Sequence, residues 1–230
     1  MRLVYSLIIV VALALTFTSS IRKNSKVYYM IASVLSGMTI IYEIYRLITD
    51  TKLQGFIGEF EKAFMKGNVS IAFFLLVMFA GALTPRWKLT KKLLSIRAES
   101  AILACILIVP HGVMYLVRFI DKLLSNKPIS ILYIVYLIVG LIAFIIMIPL
   151  FITSLKKVRA KMKYIEWKNL QRWAYPFYIL TYIHIVLALL NDNEIDIIKL
   201  SIYTVAFVSY FVLKLIKTIH IKNKKSITNI

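Results

Sequence analysis

Residues 129–153 read ISILYIVYLIVGLIAFIIMIPLFIT, an unbroken apolar run with no Asp, Glu, Lys or Arg. At 1.5 Å of rise per helical residue, a run of that length crosses a hydrocarbon layer about 30 Å thick. Comparable runs recur on both sides of it, at about 3–21, 27–49, 69–85, 98–120, 170–190 and 197–217. The expected fold is therefore all-α: a polytopic membrane bundle of about seven transmembrane helices. Composition agrees, with 60% hydrophobic residues and a mean hydropathy of +0.81, against about half apolar residues in soluble domains. No polar stretch is long enough for a separate soluble domain.

The formal net charge of +19 raises the question of nucleic acid. The distribution of that charge answers it. Basic residues gather in short connections: Arg22, Lys23 and Lys26; Arg86 to Arg97; Lys156 to Arg172; and Lys214 onward. With seven spans, all four groups face one side, and the positive-inside rule makes that side cytoplasmic. The opposite loops are mixed or acidic, as in NDNEID at 191–196. The N-terminus is expected outside and the C-terminus inside, with no nucleic-acid partner. Contact with anionic lipid headgroups follows from the same charge.

Three smaller readings complete the frame. The first run resembles a signal peptide but ends in FTSS without a small-x-small cleavage pattern, which favours an uncleaved span. Residues 51–68 carry Leu53, Phe56, Ile57, Phe60 and Phe64 at helical spacing, compatible with a short outer surface helix or with an ordinary loop. Cys105 is the single cysteine, so the chain forms no internal disulfide and no thiolate metal site.

Two histidines lie inside apolar runs: His111 in ILIVPHGVMYLVRF and His184 in PFYILTYIHIVLALL. An ionisable side chain within a span is costly and normally has a partner and a function. His111 is about 21 Å beyond Arg97 along its helix, and His184 about 18 Å beyond Arg172. Both helices run from inside to outside, so both imidazoles fall in the outer half of the bilayer. Two imidazoles at matched depth suit the axial positions of one haem b, and a fully ligated iron favours electron transfer or storage over oxygen activation. Gly112 would let the macrocycle approach, Pro110 would bend the helix, and Tyr115, Tyr178 and Tyr182 would line the slot. Arg118, seven residues beyond His111 on the same face, would hold a propionate. The competing reading is that each histidine only hydrogen-bonds a neighbouring helix. Zinc is disfavoured because no third ligand stands at the right spacing. His220 reads as interfacial. Glu43 and Arg46, three apart, read as a pair, with a proton path through Glu43 as a further option.

Two stretches carry a family resemblance. TSLKKVRAKMKYIEWKNLQRWAYPFYILTYIHIVLAL (153–189) resembles the ferric-reductase-like transmembrane domain family, especially its YedZ/MsrQ branch, through Thr153, Ser154, Trp167, Leu170, Arg172, Tyr175 and His184. KGNVSIAFFLLVMFAGALTPRWKL (66–89) is similar to another segment of that family through Gly67, Thr84, Pro85 and Arg86. The resemblance covers roughly 50–217 and divides the chain into two N-terminal helices (1–49), a haem-binding bundle (50–218) and a basic tail (219–230). It implies a multi-pass protein of a bacterial plasma membrane. It also implies a redox subunit that takes electrons from quinol or a reductase and passes them to an extracytoplasmic acceptor protein. One departure bears on the haem count. Where the family has a further histidine, thirteen residues before the deep one, this chain has Gln171. One outer haem is therefore expected, with none on the inner side. No catalytic residue is assigned, and no nucleotide-binding motif is present. A non-enzymatic haem-sequestering or haem-buffering protein that limits oxidative stress is the alternative, and a haem-free transporter or assembly factor a third.

Overall fold

The computed structural model describes residues 2–192 and 194–228, with side chains through His220. It contains thirteen helices among the described residues and no strand. They are α1 (Arg2–Thr16), α2 (Thr18–Lys23), α3 (Ser25–Thr49), α4 (Gly55–Met65), α5 (Asn68–Ala82), α6 (Lys88–Ser95) and α7 (Arg97–Leu107). There follow α8 (Val109–Leu124), α9 (Ile131–Ser154), α10 (Lys156–Arg159), α11 (Tyr164–Gln171), α12 (Ala174–Leu190) and α13 (Ile197–Thr228). The tail expected from 219 thus begins as a continuation of α13, and its last two residues lie outside the described residues.

Five of these units are long and apolar enough to cross a membrane: α3, α7 with α8, α9, α11 with α12, and α13. The pair α4 and α5, bent by 55°, makes a sixth if counted as one span. Helix α1 has 15 residues, about 22 Å at the helical rise, and is shorter than the other spans. The helical reading of 51–68 agrees with α4, whose Phe56, Ile57 and Phe60 are exposed while Phe64 and Met65 are buried.

Helix α5 is apolar all round and buried along its length, which is what a helix enclosed on every side requires. It packs against α1, α4, α7 and α13, while α9 lies along α12. Many large apolar side chains point outward, Ile41, Leu141 and Val205 among them. In water such a surface would be a liability; here it is the face presented to lipid tails.

The basic connections meet at one end of the bundle. Helix α2 packs on α6. Lys156 Nζ lies 3.2 Å from Glu99 Oε1. Lys217 Nζ donates to the carbonyls of Gly81 and Leu83 at 2.8 and 2.9 Å, satisfying the open end of α5.

The break between α7 and α8 has a chemical cause. Pro110 has no N–H to give to the carbonyl four residues back, that of Ile106. Ser36 Oγ on α3 donates to that carbonyl at 3.0 Å. A freed carbonyl in an apolar bundle must find such a donor. Ser36→Ala should therefore destabilise the bundle by about 1–3 kcal/mol, read from unfolding in detergent. An unchanged unfolding midpoint would show that the Ile106 carbonyl needs no donor.

Candidate functional site

His111 stands one turn into α8, just past the Pro110 break, and His184 stands in the middle of α12. The fold brings their rings together, with centroids 6.0 Å apart and planes at 87°. Each ring is held through the same nitrogen. His111 Nδ1 lies 3.1 Å from the carbonyl oxygen of Met65, at the end of α4. His184 Nδ1 lies 2.8 Å from the carbonyl oxygen of Tyr136 on α9. A carbonyl can only accept, so each Nδ1 carries the hydrogen and donates it. Each Nε2 is then the nitrogen with the free lone pair, the arrangement of a metal-ligating imidazole.

Two glycines make this geometry possible. Gly67 adopts φ +72 in the turn from α4 to α5, a conformation open to glycine. A Cβ there would stand 2.8 Å from Ile108 Cδ1 and would push on the turn that carries the Met65 carbonyl. Gly140 is the single glycine of α9, and a Cβ on it would lie 2.7 Å from His184 Nδ1. The imidazole lies against bare backbone. Gly140→Ala should therefore rotate or expel the His184 ring. Loss or broadening of the His184 imidazole signal in NMR of histidine-labelled protein would report that; an unchanged signal would mean that α9 and α12 separate at no cost.

The other expected site residues divide into two groups. Tyr115 joins the histidines, its ring centroid 4.5 Å from that of His111. Tyr136, whose ring lies 5.7 Å from His184, was not singled out by the sequence and completes the aromatic wall. Tyr178 and Tyr182 face elsewhere. Tyr178 stacks on Phe207 and meets Tyr210 and Phe211 of α13. Tyr182 stacks on Phe207, and its hydroxyl pairs with Thr204 at 3.0 Å. Six residues along a helix turn a side chain well away from His184, so the expected slot lined by Tyr178 is replaced by an α12–α13 contact. Gly112 also differs from expectation: the Phe144 ring occupies the space beside it, where a Cβ would stand 2.6 Å from Cζ.

Arg118 lies on the expected face of α8, but it meets a carboxylate of the chain itself. Its Nη2 donates to Glu43 Oε2, and its guanidinium stands 5.7 Å from the centre of the Tyr115 ring. Arg46 binds the same Glu43 oxygen at 2.9 Å, as the spacing of Glu43 and Arg46 foretold. Glu43 is fully buried.

At the basic end, Gln171 Nε2 donates to Thr153 Oγ1 at 3.1 Å, and Trp167 Nε1 donates to the Thr153 carbonyl at 3.1 Å. Among the described residues no group of three or more His, Cys, Asp or Glu is gathered as a metal cluster. The histidines are a two-nitrogen set.

An all-helical membrane bundle with two imidazoles packed edge to face between α8 and α12 defines a class of protein. Comparison with known families gives it a name. The chain belongs to the family of the ferric reductase like transmembrane component, whose model matches residues 66–182. His111 lies inside the matched segment, and His184 two residues beyond its end. The chain is also similar to an uncharacterized protein of Treponema pallidum (strain Nichols), with 30% identity over 227 residues. That alignment covers 95% of this chain and 61% of the relative, so the chain spans about three-fifths of the relative's length.

Proposed function

We propose that this protein is a b-type haem membrane protein whose iron is held by His111 and His184, acting as a redox subunit. The observation that carries the reading is the paired hydrogen bonding of the two Nδ1 atoms to backbone carbonyls, with the rings 6.0 Å apart. Two neutral imidazoles, each with Nδ1 tied to a carbonyl and Nε2 left to bind, are the donor set that would hold such an iron. The donor chemistry therefore fits the group. The haem, when bound, supplies one reversible electron at a saturated iron.

The chain's own residues do the rest. Met65 and Tyr136 fix the tautomer of each imidazole and raise its basicity. Gly140 lets the His184 ring sit on the backbone, and Tyr115 and Tyr136 exclude water on the polar side. Arg118 has five N–H donors. Its Nη2 is committed to Glu43, so a propionate would be held by the remaining ones. Arg118→Leu should weaken haem retention while leaving both axial ligands in place.

With α1 counted as a seventh span, the N-terminus outside and the basic connections in the cytoplasm, the histidine pair would fall in the outer half of the bilayer. That suits an electron acceptor on the outer face and a quinol or reductase donor. Gln171, tied to Thr153, supports a single haem and no inner one. It also keeps a second reading open, a haem-buffering protein without electron traffic that limits oxidative stress. A reduced-minus-oxidised spectrum with a haem-to-protein ratio, taken after expression with haem supply, tests the proposal. One low-spin haem per chain, reduced by quinol or by a membrane reductase, is the expected result. Reduction by dithionite alone favours the buffering role. A protein with no Soret band is neither, and two haems per chain would overturn the reading of Gln171.

A further inference from the structure

Linked to His111 through Arg118 and Tyr115 lies a pair of carboxyls that the function above does not use. Glu43 on α3 has no solvent exposure and Glu61 on α4 has 8%. Glu61 stands on α4, which packs against α3, and its carboxyl neighbours that of Glu43. One oxygen on each, Oε1 of Glu43 and Oε1 of Glu61, is buried with no donor. Two guanidiniums stand nearby, enough in number to offset two carboxylates. Their geometry divides them unequally. Arg46 and Arg118 both bind Glu43 Oε2, and among the described residues no ion pair reaches Glu61. A buried carboxylate pressed against another, with no cation in contact, is strongly disfavoured in the charged form. The simplest donor for both orphaned oxygens is one proton held between them, the logic of any two carboxyls that share a site.

Arg46 from α3 and Arg118 from α8 bind Glu43, and Tyr115 of α8 lies beneath Arg118. Arg118 and Tyr115 also lead to the histidines, since Arg118 stands over Tyr115 and Tyr115 against His111. We infer that Glu43 and Glu61 form a proton-holding site, with one proton shared at rest and room for a second that offsets negative charge arriving at the histidine pair. The coupling half rests on the haem-binding role proposed above; the shared proton does not. The balance is simple: with a haem held by the histidines, one electron from a one-electron donor would be matched by one proton passing from water to the carboxyl pair. Linkage then runs both ways, so protons at the pair favour the reduced state and an electron favours protonation.

Infrared spectroscopy of the full chain, prepared without haem, tests the first half. Wild type at neutral pH should show a deuterium-sensitive carbonyl band of a protonated carboxyl. Glu61→Gln and Glu43→Gln should each remove it, because the amide becomes the missing donor and the remaining carboxylate takes up the guanidiniums. Glu59→Gln, an exposed change on the same helix, should leave it intact. Absence of the band in wild type, or its survival in both Gln variants, overturns the shared proton whatever the haem does. With haem bound, the midpoint potential should fall as pH rises, and that slope should flatten in Glu61→Gln. A slope that is the same in both proteins overturns the coupling. If the chain holds no haem, the coupling falls with the function proposed above, while the band in the haem-free protein still decides whether the proton is shared.

Discussion

His111→Ala and His184→Ala will each strip the protein of low-spin haem. Loss of a partner hydrogen-bonded behind a ligand typically costs about 10–100-fold in affinity, and removing the ligand itself should exceed that. Each alanine also leaves a void between α8, α9 and α12, so a fold control is needed. Circular dichroism and gel filtration in detergent should match wild type, because the packing of α5 on α7 and α1 involves neither histidine, and α9 lies along α12 well beyond the His184 position. The two variants should behave alike, since each ring is held through Nδ1 by one backbone carbonyl. Supplying free imidazole should restore binding in part, as a ligand of the right chemistry fills the void. If both variants keep a wild-type spectrum, neither histidine is an axial ligand and the proposed site is wrong.

The sequence carried the site only so far, and the reasons are physical. His111 and His184 were legible because an ionisable side chain in a long apolar run is costly wherever it lies. Their matched depth followed from helical rise alone. The break at Pro110 was also legible, since proline removes a donor in any helix. The faces of α12 were legible too. Tyr178 and Tyr182, six and two residues before His184, fall on the far side of α12 by helical period alone, and there they meet Phe207. Depth and face can be counted along a chain, whereas the neighbour that each face meets cannot. Gly140 did leave a signal, as the only glycine in a run of large apolar residues at 131–154. Its meaning appears only once α12 is laid against α9. The Met65 carbonyl left none, because any residue at that place would supply the same atom. Glu61 was hidden for another reason. Residues 51–68 show apolar side chains at helical spacing with charges between, as a surface helix or a loop would, and that spacing does not tell which charge faces inward; in the fold Glu61 is buried while Phe56, Ile57 and Phe60 are exposed.

Glu43 is the position where one change should cost the fold most. Glu43→Leu leaves two guanidiniums facing a buried apolar side chain. Removing one partner of a buried ion pair costs about 3–5 kcal/mol. Arg46 and Arg118 keep 23% and 28% side-chain exposure, so each can recover some hydration by turning outward, and the lower end, about 3 kcal/mol, is the expected loss. Glu43→Gln should cost less, since the amide keeps an acceptor oxygen and brings a donor for the orphaned oxygen of Glu61. The order Leu worse than Gln is therefore the diagnostic result, read from unfolding midpoints at neutral pH in one detergent. Because Glu43 ties α3 to α8 through Arg118, the Leu variant should also loosen α8 and lower haem retention, although Glu43 forms no hydrogen bond to either histidine. Arg118→Leu in the Glu43→Leu background should cost little more, because the pair is already broken. Equal stability of Glu43→Leu and wild type would mean that the two arginines find water as readily as they find Glu43, and that the buried carboxylate does nothing to hold α3 against the helix that carries His111.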